Sequence, residues 1–410
     1  MKYKFPKGFL WGASTSAHQV EGGNHNDWSE WEKTNAEHLA NQAKTYWQQW
    51  QQEKFPEMLT PENYISGHAT DHYHRYGEDF KLAKEFGHNA TRFSIEWSRV
   101  EPEEGRFDEN EIEHYRNVVR ACLENGLEPF VTLWHWPVPL WLRDKKGVES
   151  DEFPKLFALY AERMVLELKE VKFWLTLNEP EIYASQSYLK GARPPQKKSI
   201  FALFKVMDRL TKTHILAYKA MKAVNPTIEI GIAKNNIWFE ASDFLSVLPA
   251  KVANWFWNHL FLIHIRKHQD FIGLNHYFNN RIRFGMFGRN KNEKISDMGW
   301  ELYPEALYRV IMDLRRYNKP IYITENGVAD KGDKFRSWFI EESLRNAERA
   351  IAEGADVRGY LYWSLLDNFE WDKGFWPRFG LIEVNHKTLE RKPRPSAYAY
   401  KKIIEANGLE

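Results

Sequence analysis

The sequence predicts an α/β protein with a single (β/α)8 barrel of the TIM type, and three observations predict it. Eight short apolar runs are spread through the 410 residues and mostly alternate with stretches of helical periodicity. The runs are continuously apolar, as expected of strands buried on both faces. Their downstream ends carry polar residues, which suits a barrel whose site is built on the C-terminal rim of its strands. No linker, low-complexity tract or internal repeat divides the sequence, so residues 1–410 read as one catalytic domain.

The first strand candidate is Phe9 to Ser14, followed by Gln19 and Glu21. Residues 34–66 are rich in Gln, Asn and Glu and read as a long polar loop with helical pieces. From Asp71 to Phe86 the spacing turns helical, with Tyr73, Tyr76, Phe80 and Ala83 on one side and Gly87 as the stop. Ala90 to Trp97 reads as a strand, and Glu109 to Asn125 as a helix striped by Ile112, Tyr115, Val119 and Cys122. Pro129 to Trp134 is the next strand and runs into His135; a helix over Phe153 to Glu170 leads to the strand Phe173 to Glu179.

The second half keeps the rhythm. A helix over Ile200 to Ala223 precedes a strand from Ile228 to Ala233, and Asp270 to Tyr277 is another strand. A helix over Pro304 to Tyr317 leads to the strand at Ile321, Tyr322 and Ile323, framed by Pro320 and Gly327. Arg336 to Glu353 is helical, Arg358 to Ser364 is the last strand, and Ser396 to Ala406 a closing helix. The apolar stretch from Phe244 to Ile265 carries Lys251, Asn254, Asn258, His259 and His264, so it reads as a buried helix or helix pair, or an oligomer contact, and not as a membrane span.

Composition narrows the function. With 43% hydrophobic and 28% charged residues the chain should be globular and soluble. A formal net charge of +1 gives no electrostatic case for nucleic acid or an anionic surface. The single cysteine, Cys122, allows no internal disulfide, and Met1 to Pro6 has no apolar core of a signal peptide, so the expected compartment is the cytoplasm. The 18 Trp, 19 Tyr and 26 Phe suit sugar faces as well as a large core.

Two strands stop on a glutamate, one at Asn178-Glu179-Pro180 and one at Thr324-Glu325-Asn326. A carboxylate at the end of an apolar strand is costly unless something uses it. Two of them on one rim are what a two-carboxylate mechanism needs. Asn178 shares the first of these ends with Glu179, and Gln19, Arg92, His135, Asn275 with Tyr277, and Trp363 sit at or just past five other strand ends. Taken singly, His135 reads as a satisfied core histidine, Trp363 as packing and Arg92 as an ion-pair partner. Seven strand ends carrying such groups point instead to a site.

These residues carry a family likeness. The chain resembles the glycoside hydrolase family 1 β-glycosidases, the β-glucosidase group, nearly end to end. The likeness rests on Phe9-Leu-Trp-Gly-Ala-Ser-Thr-Ser-Ala-His-Gln-Val-Glu21-Gly22, on Thr176-Leu-Asn-Glu-Pro180, on Ile323-Thr-Glu-Asn-Gly327 and on Trp363-Ser-Leu-Leu-Asp-Asn-Phe-Glu-Trp371. It implies a metal- and cofactor-free, retaining, exo-acting hydrolysis of small β-glycosides or oligosaccharides. Glu325 would be the nucleophile and Glu179 the general acid and base, about 5–5.5 Å apart. Asn178 would hold the sugar 2-hydroxyl, and Arg92, Asn275 and Tyr277 would orient the nucleophile. Gln19, His135, Trp363, Glu370 and Trp371 would line the pocket for the non-reducing sugar. Glu370 stands where phosphosugar-cleaving members carry serine, which implies neutral glycones and a repelled 6-phosphate, with Lys373 merely solvated. The chain is short for the group between Asn235 and Asp270, has His276 where tyrosine is common, and reads Gly191-Ala-Arg-Pro-Pro195 without the usual glycine after the proline. These departures fall mainly on loops of the leaving-group side.

Other readings are weaker. His72-x-His74 has metal-like spacing but lies in a helical pattern, where a solvated face is expected, and no HExxH or paired CxxC is present. A non-catalytic sugar-binding relative should have lost a catalytic glutamate. No G-x-S-x-G elbow supports a serine hydrolase, and Cys122 sits on a core stripe. The sequon at Asn89 enters a buried strand.

Overall fold

The structure, a computed structural model, describes residues 3–284, 286–288 and 290–409. Eight parallel strands close into a barrel: β1 (Leu10–Ser14), β2 (Ala90–Ser94), β3 (Glu128–Trp134), β4 (Phe173–Asn178), β5 (Glu229–Asn235), β6 (Ile272–Asn275), β7 (Ile321–Asn326) and β8 (Val357–Trp363). Each pairs with its sequence neighbours, and β8 pairs with β1 to close the ring. The principal helices are α1 (Asp27–Tyr46), α2 (His72–Glu85), α3 (Glu109–Glu124), α4 (Phe153–Glu167), α5 (Ile200–Val224), α6 (Glu305–Leu314), α7 (Arg336–Ala352) and α8 (Pro395–Ala406).

The barrel is filled, not hollow. Phe130, Phe173, Leu175, Phe271, Tyr322 and Leu361 pack inside it as one cluster, with the rings of Phe130 and Phe173 stacked at 4.4 Å. This plug closes the end where the strands begin and leaves the polar strand ends as the open mouth. The outward strand residues, such as Val131, Trp174, Ile230, Ile272 and Ile323, join the helices in the larger core.

Both glutamate-bearing strands are irregular just before the glutamate. On β4, Leu175 pairs with Gly231 but Asn178 with Ala233, so three steps on β4 match two on β5. On β7, Ile323 pairs with Leu274 and Glu325 with Asn275, two steps against one. An extra residue of this kind bends the strand and re-aims the side chains beyond it. The bulge on β7 is fixed by the Ser14 hydroxyl, which donates to the Thr324 carbonyl at 2.6 Å. A Cβ at the following Gly327 would lie 1.9 Å from the Trp363 carbonyl oxygen, so only glycine lets β7 leave the barrel there.

All eight predicted strands are present, with shifts at their ends. The strand predicted to reach Trp97 stops at Ser94, because Glu96 caps a short helix over Trp97–Val100. The largest difference is the polar segment. Where a loop with helical pieces is predicted from residue 34, α1 runs 20 residues from Asp27. Its start is fixed by a capping box between Asn26 and Ser29. Trp28, Trp31, Leu39, Ala40 and Ala43 bury one face of it, while the Gln and Asn residues lie outside.

His72 departs from the solvated face expected of it. It is buried, with Nδ1 2.8 Å from Asp79, which in turn accepts from Arg391 at 2.9 Å. The stretch from Phe244 to Ile265 is helical as predicted; its later half is buried through Asn258, His259, Phe261, Leu262 and Ile265, its earlier half only at Ser246 and Ala250. Phe244 is 89% exposed, and Leu248 and Val252 are exposed as well, because the first turns reach past the edge of the barrel. Among the described residues no helix is long and apolar enough to cross a membrane.

Candidate active site

The mouth of the barrel encloses a cavity of about 150 Å³ lined by His135, Asn178, Glu179, Tyr277, Glu325, Trp363, Glu370 and Trp371, together with Trp136, Gln186, Arg193, Asn235, Trp300 and Phe379. Three predicted residues stand behind this wall. Arg92 is fully buried and spreads its guanidinium over three neighbours: Nε donates to Thr132 Oγ1 at 3.0 Å, Nη1 to Glu325 Oε1, and Nη2 to Asn178 Oδ1 at 2.7 Å. Asn275 receives the Thr324 hydroxyl on Oδ1 at 2.7 Å, which turns its amide toward Asn178 Oδ1 and Glu179 Oε1 at 3.2 and 3.1 Å. Gln19 is held by protein: Ser16 donates to its Oε1 at 2.7 Å, and its Nε2 donates to the Phe369 carbonyl at 2.7 Å, with Glu370 3.5 Å away.

The two glutamates are therefore linked through a chain, Glu325 to Arg92, Arg92 and Asn275 to the Asn178 oxygen, and Asn275 to Glu179, yet sit in different surroundings. Both oxygens of Glu325 accept strong donors, Arg92 on Oε1 and the Tyr277 hydroxyl on Oε2 at 2.5 Å. Such donors stabilise a full negative charge. Glu179 begins a short helix with its backbone at φ 45°, an uncommon conformation for a residue with a Cβ, which tips its side chain into the mouth. Burial, and then the charge of Glu325, push its carboxyl up to about 7. Its Oε1 already accepts amides from Asn235 at 3.0 Å and Asn275 at 3.1 Å, so the proton belongs on Oε2.

The same reasoning fixes His135. Arg92 can only donate, so the atom of Asn178 facing it is the oxygen, and the Asn178 amide donates to His135 Nε2 at 2.9 Å. Burial, with Arg92 and His18 nearby, holds the ring well below its usual value and therefore neutral. Its proton is then on Nδ1, which has no partner among the described residues. A neutral N–H donor left over at a cavity wall suits a sugar hydroxyl. The ring of His135 stacks between those of Trp363 at 6.1 Å and Trp371 at 5.7 Å.

Glu370 differs from the expectation for it. Burial pushes its carboxyl up to about 8, against the pull of Arg193, so it is mostly protonated at pH 7. The like-charge repulsion expected for a 6-phosphate is correspondingly reduced there. Lys373 is not merely solvated: its Nζ pairs with Asp372 at 2.6 Å and lies over the rings of Tyr46 and Trp47. His276, in place of the common tyrosine, donates Nδ1–H to the Asn236 carbonyl at 2.8 Å.

Asn235, Trp136, Arg193 and Trp300 line the cavity without being predicted to. Asn235 has a signal in the sequence, since it ends β5 as Asn275 ends β6, but the apolar run predicts a strand two residues shorter. Trp136 immediately follows His135. Arg193 and Trp300 come from loops, where no periodicity marks them.

The model of the family described as "Glycosyl hydrolase family 1" matches residues 1–264 and 258–409. Beta-glucosidase A of Acetivibrio thermocellus is 33% identical, with all of this chain and all of that protein aligned. Among solved structures, a beta-glycosidase from Pyrococcus horikoshii has a TM-score of 0.88 and 35% identity, covering 100% of this chain and 97% of that one. A beta-glucosidase from Thermotoga maritima in complex with deoxynojirimycin has a TM-score of 0.87 and 30% identity, covering 100% of both.

Proposed function

The chain belongs to glycosyl hydrolase family 1 and is a retaining β-glycosidase of the β-glucosidase group, and we propose that in it Glu325 is the nucleophile and Glu179 the general acid and base, within one catalytic domain made of the barrel and the segments that cover its mouth. One observation carries the assignment. Two carboxylates stand on bulged strand ends, linked through Arg92, Asn178 and Asn275, one held by Arg92 and Tyr277 and the other pushed up to about 7. The carboxyl whose proton affinity is raised is suited to be the acid, and the one that accepts from two strong donors is suited to attack.

An oxygen of Glu325 attacks C1 of the terminal sugar. As the C1–O bond breaks, Glu179 Oε2 gives its proton to the leaving oxygen, so the aglycone departs as a neutral alcohol. The glycosyl ester removes the negative charge from Glu325, and with it one of the two causes that raise Glu179. Glu179 then takes a proton from water as the water oxygen attacks C1, and the Glu325 carboxylate leaves. Arg92, Asn178 and Asn275 link the nucleophile to the acid in one hydrogen-bonded frame, while the Nδ1–H of His135 and the carboxyl of Glu370 suit glycone hydroxyls. Two displacements at C1 retain the β configuration.

The acid sets the sign of the pH dependence. Protonated Glu179 is required in the first step, so kcat/KM for 4-nitrophenyl β-glucoside should fall as pH rises through about 7. Glu370 also titrates near there, and the leaving group separates the two. With a 2,4-dinitrophenyl glucoside, which needs no proton, the limb should flatten if it belongs to Glu179 and persist if it belongs to Glu370. A limb near the ordinary carboxylate value of about 4.3 would contradict the assignment.

The expected glycone is unphosphorylated. The inner cavity of about 150 Å³ presents Glu370 to the sugar, and above about pH 8 that group is anionic. The ratio of kcat/KM for 4-nitrophenyl β-glucoside to that for its 6-phosphate should exceed one and grow with pH. A preference for the phosphorylated sugar would overturn the glycone reading and leave the two-glutamate mechanism standing.

A further inference from the structure

The inner cavity opens into a second one of about 840 Å³, lined by Tyr46, Trp47, Gln186, Lys190, Arg193, Lys198, Trp300, Glu370, Asp372 and Lys373 among others. Arg193 belongs to both. In an exo-acting enzyme the glycone fills the closed inner end, so the outer space is left for the leaving group.

The charges at this junction are unbalanced. Arg193 is only 12% exposed, rests on the face of Trp136 at 4.6 Å, and donates Nε to Asp372 at 2.8 Å. Asp372 also accepts from Lys373. One carboxylate is thus shared by two cations. Among the described residues, what remains uncompensated is Arg193 Nη1, a buried donor with no partner, together with Lys190 and the exposed Lys198, which form no ion pair. Burial chiefly, then the neighbouring Arg193 and Lys373, lower the proton affinity of Lys190, with Asp372 opposing them. A buried guanidinium nitrogen with no acceptor is costly in a native site and invites an acceptor from outside.

The region is also placed on the right side of the scissile bond. Arg193 acts electrostatically on Glu179, the group assigned to the leaving oxygen, and Asp372 takes up its Nε. The segment holding Arg193 is the one in which Gly191 to Pro195 departs from the family pattern.

We propose that Arg193, assisted by Lys190, forms a subsite for an oxyanion on the aglycone, so that the preferred substrates are β-glycosides whose leaving group carries a carboxylate, sulfate or phosphate. This rests on the β-glycosidase reading and names the leaving-group class for the same site. Arg193 Nη1 bonds the anion, Lys190 adds charge at the mouth, and Trp136 with Trp300 offers aromatic faces to a planar aglycone.

The test compares 3-carboxyphenyl β-glucoside with the neutral 3-carbamoylphenyl β-glucoside in the intact protein. Wild type should favour the carboxylate in kcat/KM by about tenfold, the range of one charge-assisted bond, and the ratio should shrink with added salt. Arg193→Gln should bring the ratio near one, and Lys190→Gln should lower it less. The ratio is read within each variant, so a general loss of activity does not mimic the result. If Arg193→Gln does not fold, the salt dependence in wild type and the Lys190→Gln ratio still decide. Hydrolysis of both glucosides with a wild-type ratio near one overturns the subsite while sparing the β-glycosidase reading; hydrolysis of neither removes that reading itself. A third arm uses 4-nitrophenyl β-glucoside 6-phosphate. If Arg193→Gln selectively loses that substrate and not the carboxyphenyl one, the cations serve the glycone and the proposal is wrong.

Discussion

Glu325→Gly is expected to fold and to lose hydrolysis of 4-nitrophenyl β-glucoside by on the order of 10⁵-fold or more, because a covalent step has no substitute when its nucleophile is removed. Folding should survive, since Glu325 lies at the end of β7 beyond the packed run Ile321 to Ile323 and contributes no apolar contact to the core. The change does leave Arg92 buried with one partner fewer, so some loss of stability should accompany it. The cavity vacated between Arg92 and Tyr277 is lined by donors and suits a small anion. Added azide or formate should restore turnover. Azide attacks from the face Glu325 occupied while Glu179 still protonates the leaving oxygen, so the rescued product should be the α-glycosyl azide. Wild-type hydrolysis in this variant, or rescue that yields a β product, would exclude Glu325 as nucleophile.

Glu179→Ala should show the second largest effect, and its size should depend on the substrate. A poor leaving group needs the proton from Oε2, so aryl glucosides of weakly acidic phenols should lose about 10²–10⁴-fold in kcat/KM. A 2,4-dinitrophenyl glucoside leaves without help, so its first step should proceed almost normally. Its second step still lacks the base that activates water. The glycosyl ester should therefore accumulate, giving a burst of dinitrophenol, a lowered kcat and a lowered KM. Azide, which needs no base, should raise kcat and here give the β-glycosyl azide, since it attacks the ester formed on Glu325. The two variants thus predict azides of opposite configuration from one anion. An equal loss across leaving groups would mean that Glu179 serves to hold the site and not to move a proton.

Much of this is legible in the sequence because the barrel repeats one local rule. A doubly buried strand must be continuously apolar, so a polar residue at its end is conspicuous, and Glu179, Glu325, Asn178 and Asn275 all declare themselves that way. The segment after β1 hides its helix for the opposite reason. Its solvent face is so rich in Gln and Asn that the stripe of Trp28, Trp31, Leu39 and Ala43 is diluted, and the capping box at Asn26 lies ahead of the polar stretch. The bulges on β4 and β7 leave no trace in composition, though they re-aim both glutamates. Arg193 and Trp300 reach the cavity from loops whose course is set by distant contacts, and the charge imbalance at the outer cavity exists only once those loops are placed beside Asp372. Proton affinity is legible for Glu179, where two carboxylates can be foreseen on one rim. It is not legible for Glu370, whose burial is assembled from several segments.

The covalent intermediate proposed on Glu325 is the point on which the mechanism turns. Incubation with 2,4-dinitrophenyl 2-deoxy-2-fluoro-β-glucoside slows both displacements, but the good leaving group lets the first one finish, so the ester should be trapped. Mass spectrometry of the intact protein should show one added fluoroglucosyl group per chain. Digestion should place it on the peptide that contains Ile321-Tyr322-Ile323-Thr324-Glu325-Asn326, with fragmentation assigning it to Glu325. A label on Glu179 or Glu370, or turnover of the reagent with no label at all, would contradict the assignment.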